Sequence, residues 1–255
     1  MYKNSVKQIC QKIVFALLFS IAAITHAENT RTHWYGTLGG GAQWAQSQSS
    51  FTVPNGSQYT APHQLDLFSV QHHVTGGLFF LSAGRQWKLD RDWFSAYSLG
   101  AYYQRLLNHN ITGTIKQYSK SEFLNYSYQW GSSTSVVLLS GKLNMRQIRQ
   151  WSPYLSLGLG VAMNQTQDYS ETAFTGVTAR NNPSYRNGTS TNFAYQAGLG
   201  IDYQLKPAWI ISLGYAYQSV GPIQSGPGQS TWVNTHLTLG SLAQNELVGS
   251  ITYLI

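Results

Sequence analysis

The chain has 255 residues, 10% of them charged and 14% aromatic, with 24 glycines, one cysteine and a formal net charge of +7. A single cysteine excludes a disulfide-stapled secreted mini-domain. The basic residues are scattered, which leaves no footprint for nucleic acid, and no apolar stretch reaches the roughly 20 residues a spanning helix needs.

Lys3, Lys7 and Lys12 precede an apolar run, Ile13 to Ile24, that ends at Thr25-His26-Ala27. A basic n-region, a short apolar core and a small terminal residue form the layout of a secretory signal peptide. Residues 1–27 are therefore expected to be removed between Ala27 and Glu28, leaving one domain over 28–255. The run is too short for an uncleaved anchor. Cys10 precedes it and so cannot be a lipoprotein's modified residue.

After the leader, apolar residues recur at every second position, the period of a strand. The first predicted strand sets Trp34, Leu38, Ala42 and Trp44 against Tyr35, Thr37, Gly39 and Gln43. The second, 74–87, has no clear phase because both sets are apolar. The third and fourth follow at Tyr97 to Gln104 and at 136–145. The fifth, YLSLGLGVAMN (154–164), has Leu155, Leu157, Leu159, Val161 and Met163 on one face and only Ser156, Gly158, Gly160 and Ala162 on the other. The sixth (193–204), seventh (211–218) and eighth (247–255) repeat this pattern. A soluble sandwich would place charge opposite the apolar face. A small, nearly uncharged opposite face fits a narrow lumen, with the leucines turned to lipid. The fold class expected is all-β: an eight-stranded antiparallel up-and-down transmembrane barrel.

The connections alternate in length. KLDRD (88–92), RQIRQ (146–150) and the KP turn (206–207) are short, whereas 46–73, 107–134, 165–190 and 219–244 are long and polar. Short periplasmic turns and long extracellular loops are the arrangement of outer-membrane barrels. In this topology Trp34, Trp87, Trp93, Trp151, Trp209 and Tyr253 all fall at the rim of the short turns, as a periplasmic aromatic girdle would.

In strand pattern, loop alternation and the ending NELVGSITYLI, the chain resembles the small eight-stranded outer-membrane barrels of the opacity-protein and OmpA-like superfamily. That terminal segment looks like the one recognised by the barrel assembly machinery, although such strands usually end in Phe and this one ends in Ile255. The resemblance implies a monomer in the outer membrane of a Gram-negative bacterium, in contact with its lipid and lipopolysaccharide.

Parity turns Lys142, Asp202 and Glu246 inward, and Arg85 is placed with them as a polar cluster of the lumen. A buried charge must be paired, so Lys142, with Arg85, is expected to pair with Asp202. Arg105 shares an outward parity but sits at the outer end of its strand. Lipid A deacylases of this architecture use a Ser and His on the lipid face. Here His33 lies at the turn rim, and His63, His72, His73, His109 and His236 lie in or beside the long loops. No catalytic, metal or cofactor site is expected, because adjacent histidines on an extended chain point opposite ways. The expected role is structural or in surface interaction, namely envelope integrity or adhesion to a host or surface ligand through the loops; the segment NYSYQW (125–130) suits such contact. The alternatives are a narrow channel for small solutes or ions and, after it, a lipid-modifying barrel enzyme.

Overall fold

The period-two pattern becomes ten antiparallel strands in the computed structural model, which describes residues 32–46, 50–71, 74–179, 185–229 and 235–255. The strands are β1 (Thr32–Gln46), β2 (Ser50–Pro54), β3 (Leu65–Gln71), β4 (Val74–Lys88), β5 (Phe94–Lys116), β6 (Leu124–Met145), β7 (Trp151–Ala173), β8 (Gly188–Lys206), β9 (Trp209–Pro227) and β10 (His236–Leu254). Eight of them close a ring in the order β1-β4-β5-β6-β7-β8-β9-β10, with β10 returning to β1. The β2–β3 hairpin adds to the upper half of β5, where Leu67 lies opposite Lys116 and Gln71 opposite Thr112. The expected cleavage site at Ala27 and Glu28, and the His72-His73 pair, lie outside the described residues.

Closure is tight at the turn end, where Trp34 and Ile255 exchange both backbone hydrogen bonds, at 3.1 and 2.8 Å. The leucine faces point outward. Leu157 is 68% exposed and Phe193 66%, in a belt that also holds Leu38, Leu81, Leu139, Leu199, Leu213 and Ile251. An apolar surface of this extent is foreign to a soluble monomer. From Trp34 to Trp44, ten residues at about 3.3 Å each and a tilt near 40° give a band of about 25 Å, the height of the apolar zone of such barrels.

The ambiguous phase of 74–87 resolves as Phe79 and Leu81 outward and Leu78 and Phe80 inward. A glycine makes room for the inward phenylalanine: a Cβ on Gly39 would stand 2.2 Å from the Phe80 ring. Arg85, expected in the lumen, shares the outward parity of Leu81. Its guanidinium sits over the Trp34 and Trp87 rings, at 5.7 and 5.9 Å, and donates to Thr32 Oγ1.

The polar links read as loops are largely strand, and the reason is that their alternation is inverted. On upper β5, Ile111 and Ile115 are buried while Thr112, Thr114 and Lys116 face outward. On upper β6, Tyr126, Tyr128 and Trp130 are buried, and on upper β10 Leu237, Leu239 and Leu242. Beyond the belt the outer face meets water, so apolar residues turn in and polar residues turn out, as in a soluble sheet. Bulges accompany the change, as shown by register shifts between Leu106 and His109 and between Leu239 and Ser241. The barrel wall therefore continues past the membrane with its own core. NYSYQW belongs to that core: Trp130 is 1% exposed, and Tyr126 and Tyr128 are buried with it, so these rings are unavailable for adhesive contact.

Candidate functional site

The lumen is filled in three layers. At the turn end, Lys142 of β6 places Nζ 2.7 Å from the Asp202 carboxylate of β8. Asp202 is 4% exposed and also accepts from Asn144 Nδ2 and Ser212 Oγ, both at 2.7 Å. Lys142 in turn caps the Tyr154 ring, 4.1 Å from its centroid. Tyr154 occupies a cradle where a Cβ at Gly200 or Gly214 would stand 2.5 or 2.1 Å from its hydroxyl. Small residues on the inner face are thus what admits the large ones. A cavity of about 120 Å³ remains beside them, lined in part by Tyr35, Ser82, Ser98, Ser156 and Ser250.

The middle layer is built on Glu246, which is 0% exposed. Its Oε1 accepts from Gln104 Nε2 (2.6 Å) and Gln244 Nε2 (2.8 Å), and its Oε2 from Gln196 Nε2 (3.1 Å). Gln218 and Gln244 complete a circuit: Gln244 donates to Gln218 at 2.7 Å, Gln218 donates to Gln104 at 2.9 Å, and Tyr102 donates to Gln104 at 3.0 Å. Three amide donors stand in for the hydration the carboxylate would have in water, which is what burial requires of a polar acceptor. Among the described residues the one salt bridge is Lys142–Asp202, so Glu246 is held by neutral amides. The sequence points these glutamines inward by parity but does not reveal that they meet on Glu246. That depends on the stagger of strands across the ring.

The outer layer is mainly apolar. Leu106, Val136, Ala162, Ala194, Val220 and Leu242 are all at or near full burial, around a buried pair in which Thr134 Oγ1 donates to Asn164 Oδ1 at 2.8 Å. Above them the extension's core stacks Phe51 on Phe68 (5.1 Å), Phe68 on Tyr128 (5.4 Å) and Tyr128 on Tyr169 (6.2 Å). Burial pushes the Tyr128 hydroxyl well above its ordinary range.

At the tip, the β5–β6 connection is clamped onto the β2–β3 hairpin. The Tyr118 N–H donates to Asp66 Oδ1 (2.9 Å), the Tyr118 carbonyl lies 2.8 Å from His63 Nδ1, and Ser119 Oγ donates to the Leu65 carbonyl (2.8 Å). These contacts hold Tyr118 and Ser119 at φ +55°, a conformation that costs a side-chain-bearing residue of order 1 kcal/mol or more. The result is a ledge of rings in which Tyr59 meets Tyr118 edge-on at 5.5 Å and Tyr118 meets Phe123 at 5.8 Å, with Lys120 over Phe123. Tyr59 is 62% exposed.

The six aromatic residues placed at the turn rim lie on strand ends or turns at that end of the ring. Trp87 stacks on Tyr97 at 4.9 Å, Trp151 packs on Tyr203 at 4.6 Å and Trp209 on Tyr253 at 4.8 Å, while Trp34 and Trp93 are exposed. Arg105 turns outward above the belt and donates to Ser135 (2.6 Å) and Ser133 (3.1 Å). Among the described residues no group of three His, Cys, Asp or Glu side chains could hold a metal ion. His236 and His63 bind backbone carbonyls in different parts of the extension.

A family model described as "Outer membrane protein beta-barrel domain" matches residues 13–240. Among solved structures the chain is similar to Neisserial surface protein A (NspA), at 15% identity over 86% of this chain and 96% of that one, TM-score 0.43. It is also similar to OprG from Pseudomonas aeruginosa, at 12% identity over 87% and 95%, TM-score 0.45. Ail, the attachment invasion locus protein of Yersinia pestis, matches at 11% identity over 88% and 99%, TM-score 0.37. No curated protein matches the chain.

Proposed function

The chain belongs to the outer membrane protein β-barrel domain family and lies in the outer membrane of a Gram-negative bacterium, and from that premise we propose that it is a non-conducting surface barrel whose cored extracellular extension makes the functional contacts. The observation that carries this reading is the closed lumen: a polar pair, a buried Glu246–glutamine layer and a mainly apolar plug follow one another along the axis. Lys142, Asp202 and Glu246 serve on this reading as filling, and the six rim aromatics as the periplasmic girdle that fixes depth in the bilayer.

Clamping at Tyr118 supports a contact role for the tip. The clamp fixes a ledge of rings that stands in water beside a lysine, a surface suited to contact. The occupant of the ledge is a host or environmental surface ligand. The narrow-channel alternative has the 120 Å³ cavity in its favour, but that space ends against Tyr102 and Gln196 of the Glu246 layer. The barrel is monomeric on this reading, inserted by the barrel assembly machinery and facing lipopolysaccharide on its outer half.

Planar-bilayer recording on the refolded chain tests the reading. A silent membrane is expected at protein levels where a known small porin conducts. Reproducible unitary steps would overturn it in favour of the channel. Surface proteolysis of cells is expected to cut little of 107–134, because that segment is strand apart from the clamped 117–123 connection.

A further inference from the structure

The lipid-facing wall is not evenly covered. Between β4 and β7 an apolar notch of about 380 Å³ runs from the periplasmic rim at Trp87 toward mid-belt at Leu157, lined also by Tyr97, Leu99, Leu143 and Leu155 around Gly141. Two cross-strand rows make it. Trp87, Tyr97, Leu143 and Leu155 lie opposite one another in succession across β4 to β7, and one step into the membrane so do Arg85, Leu99, Gly141 and Leu157. The notch exists because the third member of the upper row has no side chain. A Cβ at Gly141 would meet nothing closer than 3.9 Å, whereas those at Gly84 and Gly160 would stand 2.2 and 2.0 Å from backbone oxygens. Gly141 is therefore not required by packing, and its absent side chain leaves the notch open between Leu99 and Leu157.

The same sector carries the charge. Arg85 ends the upper row beside Leu99, exposed on the outer wall, with two indole rings and a threonine hydroxyl as its contacts. Lys88 closes β4, Arg91 lies in the β4–β5 turn, and Arg146 and Arg149 lie in the β6–β7 turn, all exposed, against Asp90 and Asp92. An outward guanidinium at interface depth is tolerated beside lipid and is placed to meet an anion there. Anionic lipid headgroups sit at that depth and favour clustered cations.

We propose that this wall holds one anionic phospholipid of the periplasmic leaflet, with an acyl chain in the notch over Gly141 and its phosphate against the Arg85 guanidinium. Groove and cation supply separable parts of the affinity. The chain fills space that bulk lipid tails must otherwise enter at random, and the cation selects the headgroup. Arg85 contributes about fivefold to the preference for an anionic over a zwitterionic lipid. The guanidinium lies on the β1 side of Trp87, between that ring and Trp34, and the Trp87–Tyr97 stack that edges the notch stands between the two.

Native mass spectrometry on the refolded barrel, released from detergent in the presence of palmitoyl-oleoyl phosphatidylglycerol or phosphatidylcholine, tests this. The wild-type chain is expected to retain one phosphatidylglycerol in preference to phosphatidylcholine. Gly141→Leu, which fills the slot without a backbone clash, is expected to lose retention of both lipids. Arg85→Gln is expected to keep retention and lose the preference about fivefold. Glycerol phosphate in excess is expected to leave the retained lipid in place, which separates a lipid site from a simple anion site. Heat-modifiable migration on a gel confirms that each variant is folded. Equal retention by wild type and folded Gly141→Leu, an unchanged preference in Arg85→Gln, or displacement by glycerol phosphate would each overturn the proposal.

Discussion

Replacing Glu246 with alanine should be among the most damaging single changes in the lumen. The carboxylate is fully buried and accepts from Gln104, Gln244 and Gln196 at 2.6, 2.8 and 3.1 Å. Its removal leaves three amide donors in a buried layer, each costing about 1–3 kcal/mol when unsatisfied. One stays partly met, because Gln244 Nε2 keeps its bond to Gln218 at 2.7 Å. Two donors left unmet give a loss of roughly 2–6 kcal/mol. Glu246→Gln keeps the volume and one acceptor, so its cost should stay near 1–2 kcal/mol. The assay is equilibrium urea unfolding in phospholipid vesicles, followed by tryptophan fluorescence and compared at constant slope. If Glu246→Ala stays within 0.5 kcal/mol of wild type, water reaches the carboxylate and the lumen is not closed at that level.

Further outcomes follow from the same layers. Lys142→Met removes the partner of a nearly buried carboxylate. Asn144 and Ser212 remain and the lysine is partly exposed, so a loss of about 1–2 kcal/mol is expected in the same unfolding assay. Leu157→Arg, about midway up the belt, should cost about 2–4 kcal/mol, whereas Gln129→Arg, on the watery outer face of upper β6, should stay within about 0.5 kcal/mol. Trp130→Ala empties the core of the extension and should cost about 3–5 kcal/mol, with new protease cuts in 107–134 while the membrane-embedded part keeps its heat-modifiable migration. A variant equally resistant to protease would show that the extension is held together elsewhere.

The eight ring strands were legible because lipid outside and a crowded lumen inside impose a single rule on each of them: large apolar residues at one parity, small ones at the other. The rule identified the face of Leu155, Leu199 and Leu213 without any knowledge of their neighbours. It failed where its premise failed. Above the belt, Ile111, Trp130 and Leu239 alternate in the opposite sense, so a search for outward leucines reads those segments as polar loops. It also failed at 74–87, where a glycine on the next strand, Gly39, lets Phe80 turn inward and erases the contrast between faces. Arg85 lies outward rather than in the lumen, and its face is illegible for the same reason, since 74–87 offers no phase from which to read it. Parity put Lys142 and Asp202 on the inner face, where the structure brings them to 2.7 Å. Bringing Gln104, Gln196, Gln218 and Gln244 together on Glu246 depends on the shear of the barrel, which no single strand encodes.

The orientation of the wall can be read directly by spin labelling. Cys10 is the only cysteine, so a chain beginning after residue 27 accepts single labels at Leu157→Cys, Ser156→Cys and Thr238→Cys. In vesicles the label at 157 should be relaxed by oxygen and shielded from a polar nickel chelate, that at 156 shielded from both, and that at 238 open to the chelate. A label at 157 that the chelate reaches, or that neither reagent reaches, would contradict a wall facing hydrocarbon, and with it the barrel's place in the membrane.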